Sequence, residues 1–402
     1  MKPALSNGTG PGRSAVPSRH VICSAFGEDS ELSAEAAGAA WALQFASPGL
    51  LFGRGDEAPL PRLVRARQFA PAAFPVSEPS IKRWALRVLD GLSPAVPDSK
   101  PWQLHVAPCY GTCREPRSGA RALHSALLAS GPRPVRNAEA TSEVTGAGKS
   151  RCEWIRAALV ELLREKRRHL LRQLRPQPTP FTPEDSLVQL LLTSPTTGWL
   201  SVAVAPEPFR LRHWMSPFPG GEIPVAVDKA APSRAFAKLV EAELRFGRRI
   251  APGETCVDLG ASPGGWTWVA RQRGARVIAV DRSPLREDLM ADPEVTFIRG
   301  DAFSYQPDRP VAWLVCDVIA APERSIELVL EWVRRRWARH FVVTIKLREG
   351  DHPKLDRLKQ ELPSLADDWY LTHLCANKHE ACVFGSVRPE GNVIAVAGWA
   401  TA

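Results

Sequence analysis

Short apolar runs alternate with helical segments through the C-terminal half of the chain. Seven runs are rich in β-branched or aromatic residues, at 255–259, 275–280, 295–299, 311–316, 341–346, 370–376 and 381–387. A nearly continuous apolar strand is typical of a sheet that helices cover on both faces. The pattern over residues 213–388 therefore predicts a doubly wound α/β domain.

The last two runs are joined differently from the others. Only the four residues 377–380 separate them, which is too short for a crossover helix. We therefore expect these two strands to form an antiparallel hairpin at the edge of an otherwise parallel sheet.

The N-terminal half has a weaker pattern of strands and helices. It predicts strands at 21–26 and 102–108, a helix at 33–41, and a strand or hairpin at 187–204 that turns at 194–197. The proline-rich stretch over 45–100 allows no assignment. A basic helix is expected at 151–174, after a break at 146–148, because apolar residues recur there at helical spacing: Ile155, Leu159, Leu163, Leu170 and Leu174.

Length and composition indicate two or three globular domains. The chain has 402 residues, of which 44% are hydrophobic, and no run approaches the roughly 18 apolar residues of a membrane span. We expect no membrane association. The eight cysteines follow no secretory signal and are read as reduced thiols of a cytoplasmic protein, and no metal site is expected because the cysteine and histidine spacing forms no zinc pattern.

The positive charge is confined to one half of the chain. Residues 1–212 hold 27 Lys and Arg against 18 Asp and Glu, whereas residues 213–402 hold 25 of each, so the first half carries the whole net charge of +9. The segment 149–175 alone has nine basic and three acidic residues. An excess of this kind favours a polyanionic partner, and its position predicts that the N-terminal half binds it.

The most informative motif joins the first predicted strand of the C-terminal domain to a helix. It reads Asp-Leu-Gly-Ala-Ser-Pro-Gly-Gly-Trp over residues 258–266. A glycine-rich turn at this position lets a ligand approach the backbone closely. The spacing of Gly260, Gly264 and Gly265 does not match the G-x-G-x-x-G pattern of dinucleotide binding, so no pyrophosphate site is expected.

Acidic residues end the next two strands. Asp281 is placed to accept hydrogen bonds from two ribose hydroxyls, and Asp301, followed closely by Phe303, offers a carboxylate and a ring to an adenine. A ribose, an adenine and a compact portion without phosphate together describe S-adenosylmethionine. The sequence therefore predicts this cofactor.

Further motifs extend this reading to a family resemblance. Residues 213–387 resemble Rossmann-like methyltransferases of the FtsJ type, which carry this first motif and a Lys-Asp-Lys-Glu tetrad that methylates ribose 2′-hydroxyls. The matching positions are Lys238 in a Ser-Arg-x-x-x-Lys-Leu helix, Asp317, Lys346 and Glu380. The resemblance implies these four as catalytic residues and the following as cofactor-binding residues: Ser233, Gly260, Ser262, Pro263, Gly264, Gly265, Trp266, Asp281, Asp301 and Asp317.

With its basic N-terminal half, the chain is similar to the large-subunit ribosomal RNA cytidine 2′-O-methyltransferase family. This resemblance implies an α+β ferredoxin-like domain at 20–98, a THUMP-like RNA-binding domain at 99–212 and the methyltransferase domain at 213–388, between tails at 1–19 and 389–402. It also implies ribosomal RNA or a large-subunit precursor particle as partner and a monomer or weak oligomer. A non-catalytic RNA-binding or assembly protein, a methyltransferase of another RNA and a small-molecule methyltransferase remain as alternatives.

The chemistry of the tetrad is a further expectation. A ribose hydroxyl is weakly acidic, so Lys346 must be neutral to act as its general base, and we expect nearby Lys238 and partial burial to lower its pKa. Amine methylation is disfavoured because the loop after Asp317 reads Val-Ile-Ala instead of Pro-Pro-aromatic. Methylation at cytosine C5 needs a reactive cysteine, whereas Cys316 lies inside an apolar run.

Overall fold

The computed structural model describes residues 19–24, 28–39, 41–47, 49–53, 62–109, 138–223, 225, 228–348, 350–376 and 380–389, with only the backbone of 138–147. The predicted tails, 1–19 and 389–402, lie outside these residues except at Arg19 and Pro389. None of the described helices has the length and apolarity needed to cross a bilayer.

A seven-stranded sheet forms the N-terminal half. Its strands are β1 (Arg19–Ser24), β2 (Leu43–Ser47), β3 (Leu50–Gly53), β4 (Ala66–Ser77), β5 (Trp102–Pro108), β6 (Ser186–Leu192) and β7 (Thr197–Ala203). Their order across the sheet is β2-β3-β1-β4-β7-β6-β5. The helices are α1 (Asp29–Gly38), α2 (Ile81–Leu92), α3 (Ala138–Lys166), α4 (Arg168–Gln173) and α5 (Glu207–Arg210).

The long strand β4 lies within the predicted domain 20–98 but pairs with strands of both predicted N-terminal domains. Its first part pairs with β1, where Phe69 lies opposite Ile22, and its last part pairs with β7, where Phe74 lies opposite Leu200. Helix α2 packs through Trp84 and other apolar residues into the same core as β5, β6 and α3. Helix α2 therefore packs with elements from beyond the predicted boundary between residues 98 and 99, and β4 joins the strands on its two sides into one sheet.

The basic helix is longer than predicted and has a different end. Helix α3 begins at Ala138, so the expected break at 146–148 is wrong, and it ends at Lys166, after which α4 starts at Arg168. The apolar positions behave as expected, since Ile155, Leu159 and Leu163 are fully buried. Local glycines did not stop the helix, because a weak local preference does not outweigh the continuation of a packed helix.

A second seven-stranded sheet forms the C-terminal half. Its strands are β8 (Thr255–Leu259), β9 (Arg276–Asp281), β10 (Val295–Arg299), β11 (Val311–Cys316), β12 (Ala338–Lys346), β13 (Ala366–Thr372) and β14 (Glu380–Val387), in the order β10-β9-β8-β11-β12-β14-β13. Its helices are α6 (Phe236–Phe246), α7 (Gly265–Gln272), α8 (Glu287–Met290), α9 (Pro322–Arg334) and α10 (Asp356–Leu365). Separate apolar cores cover the two faces, as the strand pattern predicts.

The edge hairpin is present. Strand β14 pairs antiparallel with both β12 and β13, whereas β8 to β12 pair in parallel. Strand β13 begins at Ala366, four residues before the predicted start, because α10 ends at Leu365 and leads directly into it. The strand order reverses direction between β8 and β11, and open α/β sheets bind ligands at such a point, beyond the carboxyl ends of the strands.

Polar contacts join the two halves of the chain. The guanidinium of Arg62 lies 3.8 Å from the centre of the Trp369 ring and donates to the Trp369 carbonyl. The amide of His373 donates to the carbonyl of Val64, and Arg65 donates through Nε to His352 at 2.9 Å. Val64 also belongs to the apolar core of the C-terminal sheet, so the contact combines polar and apolar residues.

Candidate active site

The glycine-rich loop leaves β8 and starts α7. Gly260 and Gly264 have φ of +74° and +111°, values that L side chains rarely adopt. A β-carbon at Gly260 would lie 2.9 Å from that of Val318, and one at Gly265 would lie 2.5 Å from the Ser233 hydroxyl oxygen. The three glycines therefore allow the loop after β8, the loop after β11 and the segment before α6 to approach one another closely.

Asp281 holds this loop from the end of β9. One carboxylate oxygen accepts from the amide of Ser262 at 3.0 Å, and the other accepts from the amide of Ser283 at 2.8 Å. The hydroxyl of Ser262 donates to the carbonyl of Pro284, which closes the loop from the other side. Each Asp281 oxygen keeps further acceptor capacity, as binding a ribose diol requires.

Asp301 lies at the end of β10 on a more open surface. Its carboxylate accepts from the amide of Phe303 at 3.0 Å and pairs with Arg282 at 2.7 Å. Both interactions hold the pKa of Asp301 below its ordinary value, so the group is a carboxylate at neutral pH. The guanidinium of Arg324 lies 3.9 Å from the centre of the Phe303 ring and covers one face of it.

Two residues of the first motif support the loop from beneath. Trp266 is buried and donates through its indole to the carbonyl of Ala235 at 2.8 Å, so a cofactor contact would be left to its backbone. Asp258 is also buried and accepts from the hydroxyl of Thr267 at 2.7 Å. Burial raises the pKa of Asp258 to about 7.

The four predicted catalytic residues meet in one cluster. The amine of Lys238 lies 3.0 Å from both Asp317 oxygens and 2.6 Å from Glu380 Oε1. The amine of Lys346 lies 2.7 Å from Asp317 Oδ1 and also contacts Glu380 Oε2. Each lysine therefore bridges both carboxylates, although the four residues come from α6 and from the ends of β11, β12 and β14.

Register explains how the strands bring these residues together. Strands β11 and β12 run in parallel, so Asp317 and Lys346 emerge at the same edge of the sheet. Strand β14 runs the other way and pairs Glu380 with Lys346 directly. The antiparallel hairpin thus places the start of one strand beside the end of another.

The protonation of Lys346 differs from the expectation. Burial lowers the pKa of this amine, but the charges and hydrogen bonds of Asp317 and Glu380 outweigh burial and raise it to about 12. Burial likewise raises the pKa of Asp317, whereas Lys238 and Lys346 hold it below its ordinary value. The prediction that Lys238 lowers the pKa of Lys346 is therefore wrong, because the two carboxylates act more strongly on it.

Thr344 completes the cluster and was missed by the sequence analysis. Its hydroxyl donates to Asp317 Oδ1 at 2.5 Å. Thr344 is two residues before Lys346 on β12, so both side chains lie on the same face of the strand. That spacing could have predicted Thr344 as a neighbour of Lys346, but a threonine inside an apolar strand is also a common packing residue.

The thiol beside this cluster is unreactive. Cys316 is fully buried, and burial raises the pKa of its thiol to about 12. A thiolate, not a thiol, is the nucleophile in cysteine chemistry. The structure therefore agrees with the interpretation of Cys316 as a packing residue.

The sheet order and the loop define a class of protein. Five parallel strands with an antiparallel edge hairpin, a glycine-rich turn after β8 and carboxylates after β9 and β10 form a Rossmann-like methyltransferase domain that uses S-adenosylmethionine. The residues present fit that cofactor, because Asp281 retains acceptor capacity for a ribose. Ser233, the 260–266 loop, Asp281 and Asp301 would hold it.

Comparison with known proteins shows what this domain is similar to. Residues 231–397 match the FtsJ-like methyltransferases. A protein named ribosomal RNA large subunit methyltransferase M from Thauera aminoaromatica is 36% identical over 210 residues, which are 49% of this chain and 56% of that protein. A protein of the same name from Halorhodospira halophila is 39% identical over 183 residues, 45% of this chain and 50% of that protein.

These matches have a limited extent. The chain spans about half the length of the curated relatives it matches. Among solved structures, the 23S rRNA methyltransferase ErmE is 18% identical to this chain, with a TM-score of 0.30. The match covers 42% of this chain and 70% of the ErmE chain. The observed strand order therefore carries the assignment of the fold.

Proposed function

We propose that the chain transfers a methyl group from S-adenosylmethionine to a ribose 2′-hydroxyl of large-subunit ribosomal RNA, at a cytidine. The observation that carries this proposal is the convergence of Lys238, Asp317, Lys346 and Glu380 at the carboxyl edge of the sheet. Alternating ammonium and carboxylate groups can orient a hydroxyl and accept its proton. The names of the relatives support ribosomal RNA as the substrate class.

Each member of the cluster has a separate role in this proposal. Lys346 is the general base, at the more exposed end of the cluster, where 25% of its side chain is accessible against 11% for Lys238. Asp317 and Glu380 orient both amines. Lys238 keeps its contacts with the two carboxylates after Lys346 has lost its proton.

Lys346 must release a proton before it can accept one. Its pKa of about 12 means that the ammonium form dominates at neutral pH. A ribose hydroxyl that takes the place of one carboxylate contact removes part of the stabilisation of this ammonium, which lowers its pKa. When bound, S-adenosylmethionine supplies an electrophilic methyl group next to the hydroxyl that these residues orient.

The N-terminal half holds the RNA in this proposal. Helices α3 and α4 meet at an exposed basic cluster. We name this the α3–α4 basic cluster, and it comprises Arg164, Lys166, Arg167, Arg168 and Arg172. Phosphate neutralisation by such residues supplies most of the affinity of an RNA-binding protein, whereas the methyltransferase half has equal numbers of acidic and basic residues. We infer that the protein works in the cytoplasm, as a monomer or weak oligomer.

The decisive experiment maps the methylated atom. Large-subunit ribosomal RNA that lacks 2′-O-methyl groups is incubated with the full chain and S-adenosylmethionine, and the product is digested and mapped by mass spectrometry. We expect one new 2′-O-methylcytidine. A methyl group on a base, or RNA that binds without any transfer, would overturn the proposal and favour a different methyltransferase or a non-catalytic RNA-binding protein.

A further inference from the structure

A second group of residues borders the catalytic cluster on the outside. Ile319 follows Asp317 by two positions, and Arg348 follows Lys346 by two. Their strands, β11 and β12, are parallel neighbours, so both residues leave the same edge of the sheet. We call residues 318–321 and 347–348 the substrate lip.

Ile319 is unusually exposed for its type. Its relative accessibility is 89%, the highest among the large apolar residues of the described ranges, and Phe45 and Trp154 follow at 60% and 61%. Isolated exposed apolar residues are common and need no explanation. Here, however, the exposed side chain lies two residues from a member of the catalytic cluster, where a substrate must approach.

The backbone on either side of Ile319 is anchored. Val318 packs against the C-terminal core and against Gly260, and Pro322 is buried where α9 begins. The loop therefore cannot turn Ile319 inward without losing both contacts.

The second half of the lip is tied to the helix that follows the first half. Lys354 pairs with Glu323 of α9 at 2.7 Å and with Asp351 at 2.8 Å. Asp351 in turn accepts from the amide of Arg348 at 2.9 Å. These contacts connect the segment after β12 to the helix after β11, and the side chain of Arg348 is exposed beside them.

We propose that the lip binds the target nucleotide, with Ile319 against its base and Arg348 on its 3′-phosphate. In RNA the 2′-oxygen and the 3′-phosphate belong to the same ribose, so an exposed cation two residues beyond the proposed base meets that phosphate. An exposed aliphatic side chain gains free energy when a base covers it, and a guanidinium matches a phosphate geometrically. This inference rests on the proposed function and adds that the substrate must be an internal nucleotide.

The test uses full-chain variants and a labelled single-stranded oligoribonucleotide that contains the target cytidine. We expect Ile319→Ser to raise the RNA Kd and the KM about tenfold with little change in kcat, and Ile319→Val to remain close to the wild type. We expect Arg348→Gln to raise KM to a similar degree and to reduce the salt dependence of log Kd by about one phosphate contact. With an RNA whose target is the 3′-terminal nucleotide, which has no 3′-phosphate, Arg348→Gln and the wild type should have the same KM.

Matched controls and a second readout make the test decisive. Ile298→Ser on the edge strand β10 and Arg335→Gln at the far end of α9 change exposed residues of the same types away from the lip. If the lip variants bind and methylate RNA like the wild type, the lip inference is wrong. If the wild type binds RNA without methylating it, and the lip variants bind more weakly, the proposed function is wrong while the lip remains an RNA site.

Discussion

Lys238 and Lys346 share the carboxylate of Asp317, with Nζ-to-Oδ1 distances of 3.0 and 2.7 Å. Two ammonium groups this close would repel each other, but Glu380 contacts both as well. The cluster is therefore electrically balanced, with two positive and two negative charges. Removing any one member leaves an unbalanced charge in a partly buried cluster, which is costly in proteins.

Removing the proposed base should separate catalysis from binding. We expect Lys346→Ala to lower methyl transfer at least about 100-fold, because proton acceptance is lost, while S-adenosylmethionine affinity stays within a factor of about two. Radiometric transfer and calorimetric cofactor binding measure the two effects. Lys82→Ala, an exposed lysine on α2, is the control, and comparable activity of Lys346→Ala would remove this residue from the mechanism.

The rate of methyl transfer should rise with pH. A pKa raised to about 12 leaves only about one Lys346 in 10⁴ neutral at pH 8, and this fraction grows about tenfold per pH unit. We expect log kcat/KM to increase with a slope of about one between pH 7 and 9.5. The stabilisation from the raised pKa is complete below about 10.5 and is lost only as the pH approaches 12, so the unfolding temperature should not change on this account. A flat rate profile would contradict a neutral Lys346.

Adding a side chain to the glycine-rich loop should weaken cofactor binding. Gly264 has φ of +111°, and a β-carbon there would collide with Leu289. We expect Gly264→Ala to weaken S-adenosylmethionine binding more than about tenfold in calorimetry. Gly253→Ala is the control, because its φ of +77° is also positive but a β-carbon there would lie in open space. Equal cofactor affinities for the two variants would mean that the loop does not bind the cofactor.

Neutralising the α3–α4 basic cluster should weaken RNA binding without affecting the cofactor. We expect the triple variant Arg167→Gln, Arg168→Gln and Arg172→Gln to reduce the slope of log Kd against log salt by about two to three. A triple variant of exposed arginines in the other half, Arg299→Gln, Arg309→Gln and Arg335→Gln, is the control. An equal loss of RNA affinity in both triple variants would show that the α3–α4 basic cluster is not the main RNA-binding surface.

Substitutions in the full chain test the proposed separation of RNA binding from cofactor binding better than a truncation does. Val64, in the N-terminal half, belongs to the core of the methyltransferase sheet, and Arg62 packs on Trp369. Removing residues 1–205 would expose these surfaces, so a loss of RNA methylation would not report on RNA binding alone.

The contact between the two halves should be sensitive to acid. Burial, assisted by Arg65, lowers the pKa of His352 to about 4, below its ordinary value of 6.5. Between these values the unfolded chain binds a proton that the folded chain does not, so stability falls as the pH falls. We expect His352→Gln to reduce this loss by about 1 kcal/mol at pH 4.5 in chemical denaturation, because solvent screens part of the effect at this half-buried site.

Other buried histidines also contribute to the loss of stability at low pH. Burial also lowers the pKa of His105 to about 3 and of His340 to about 4, so the wild type and the variant share their contribution. His169→Gln, an exposed position, is the control. An acid response of His352→Gln equal to that of the wild type would show that His352 does not titrate with unfolding.

The sequence by itself determined the strands and motifs of the C-terminal half of this protein in detail. Its apolar runs placed strands β8, β10 and β11 with their observed limits, and the four-residue link predicted the edge hairpin. These features are local, because a strand pattern and a short connection depend on neighbouring residues. The motif positions likewise led to Asp317, Lys346 and Glu380, which the sheet register then brings together.

Only the tertiary structure decided the features that depend on distant residues. Strand β4 joins the two N-terminal units because its ends pair with β1 and β7, more than 100 residues apart in the chain. The pKa of Lys346 rises instead of falling because two carboxylates from separate strands surround it. Thr344 gains its role from the proximity of Asp317. Pairing partners and electrostatic neighbours are set by packing across the fold, and no local pattern encodes them.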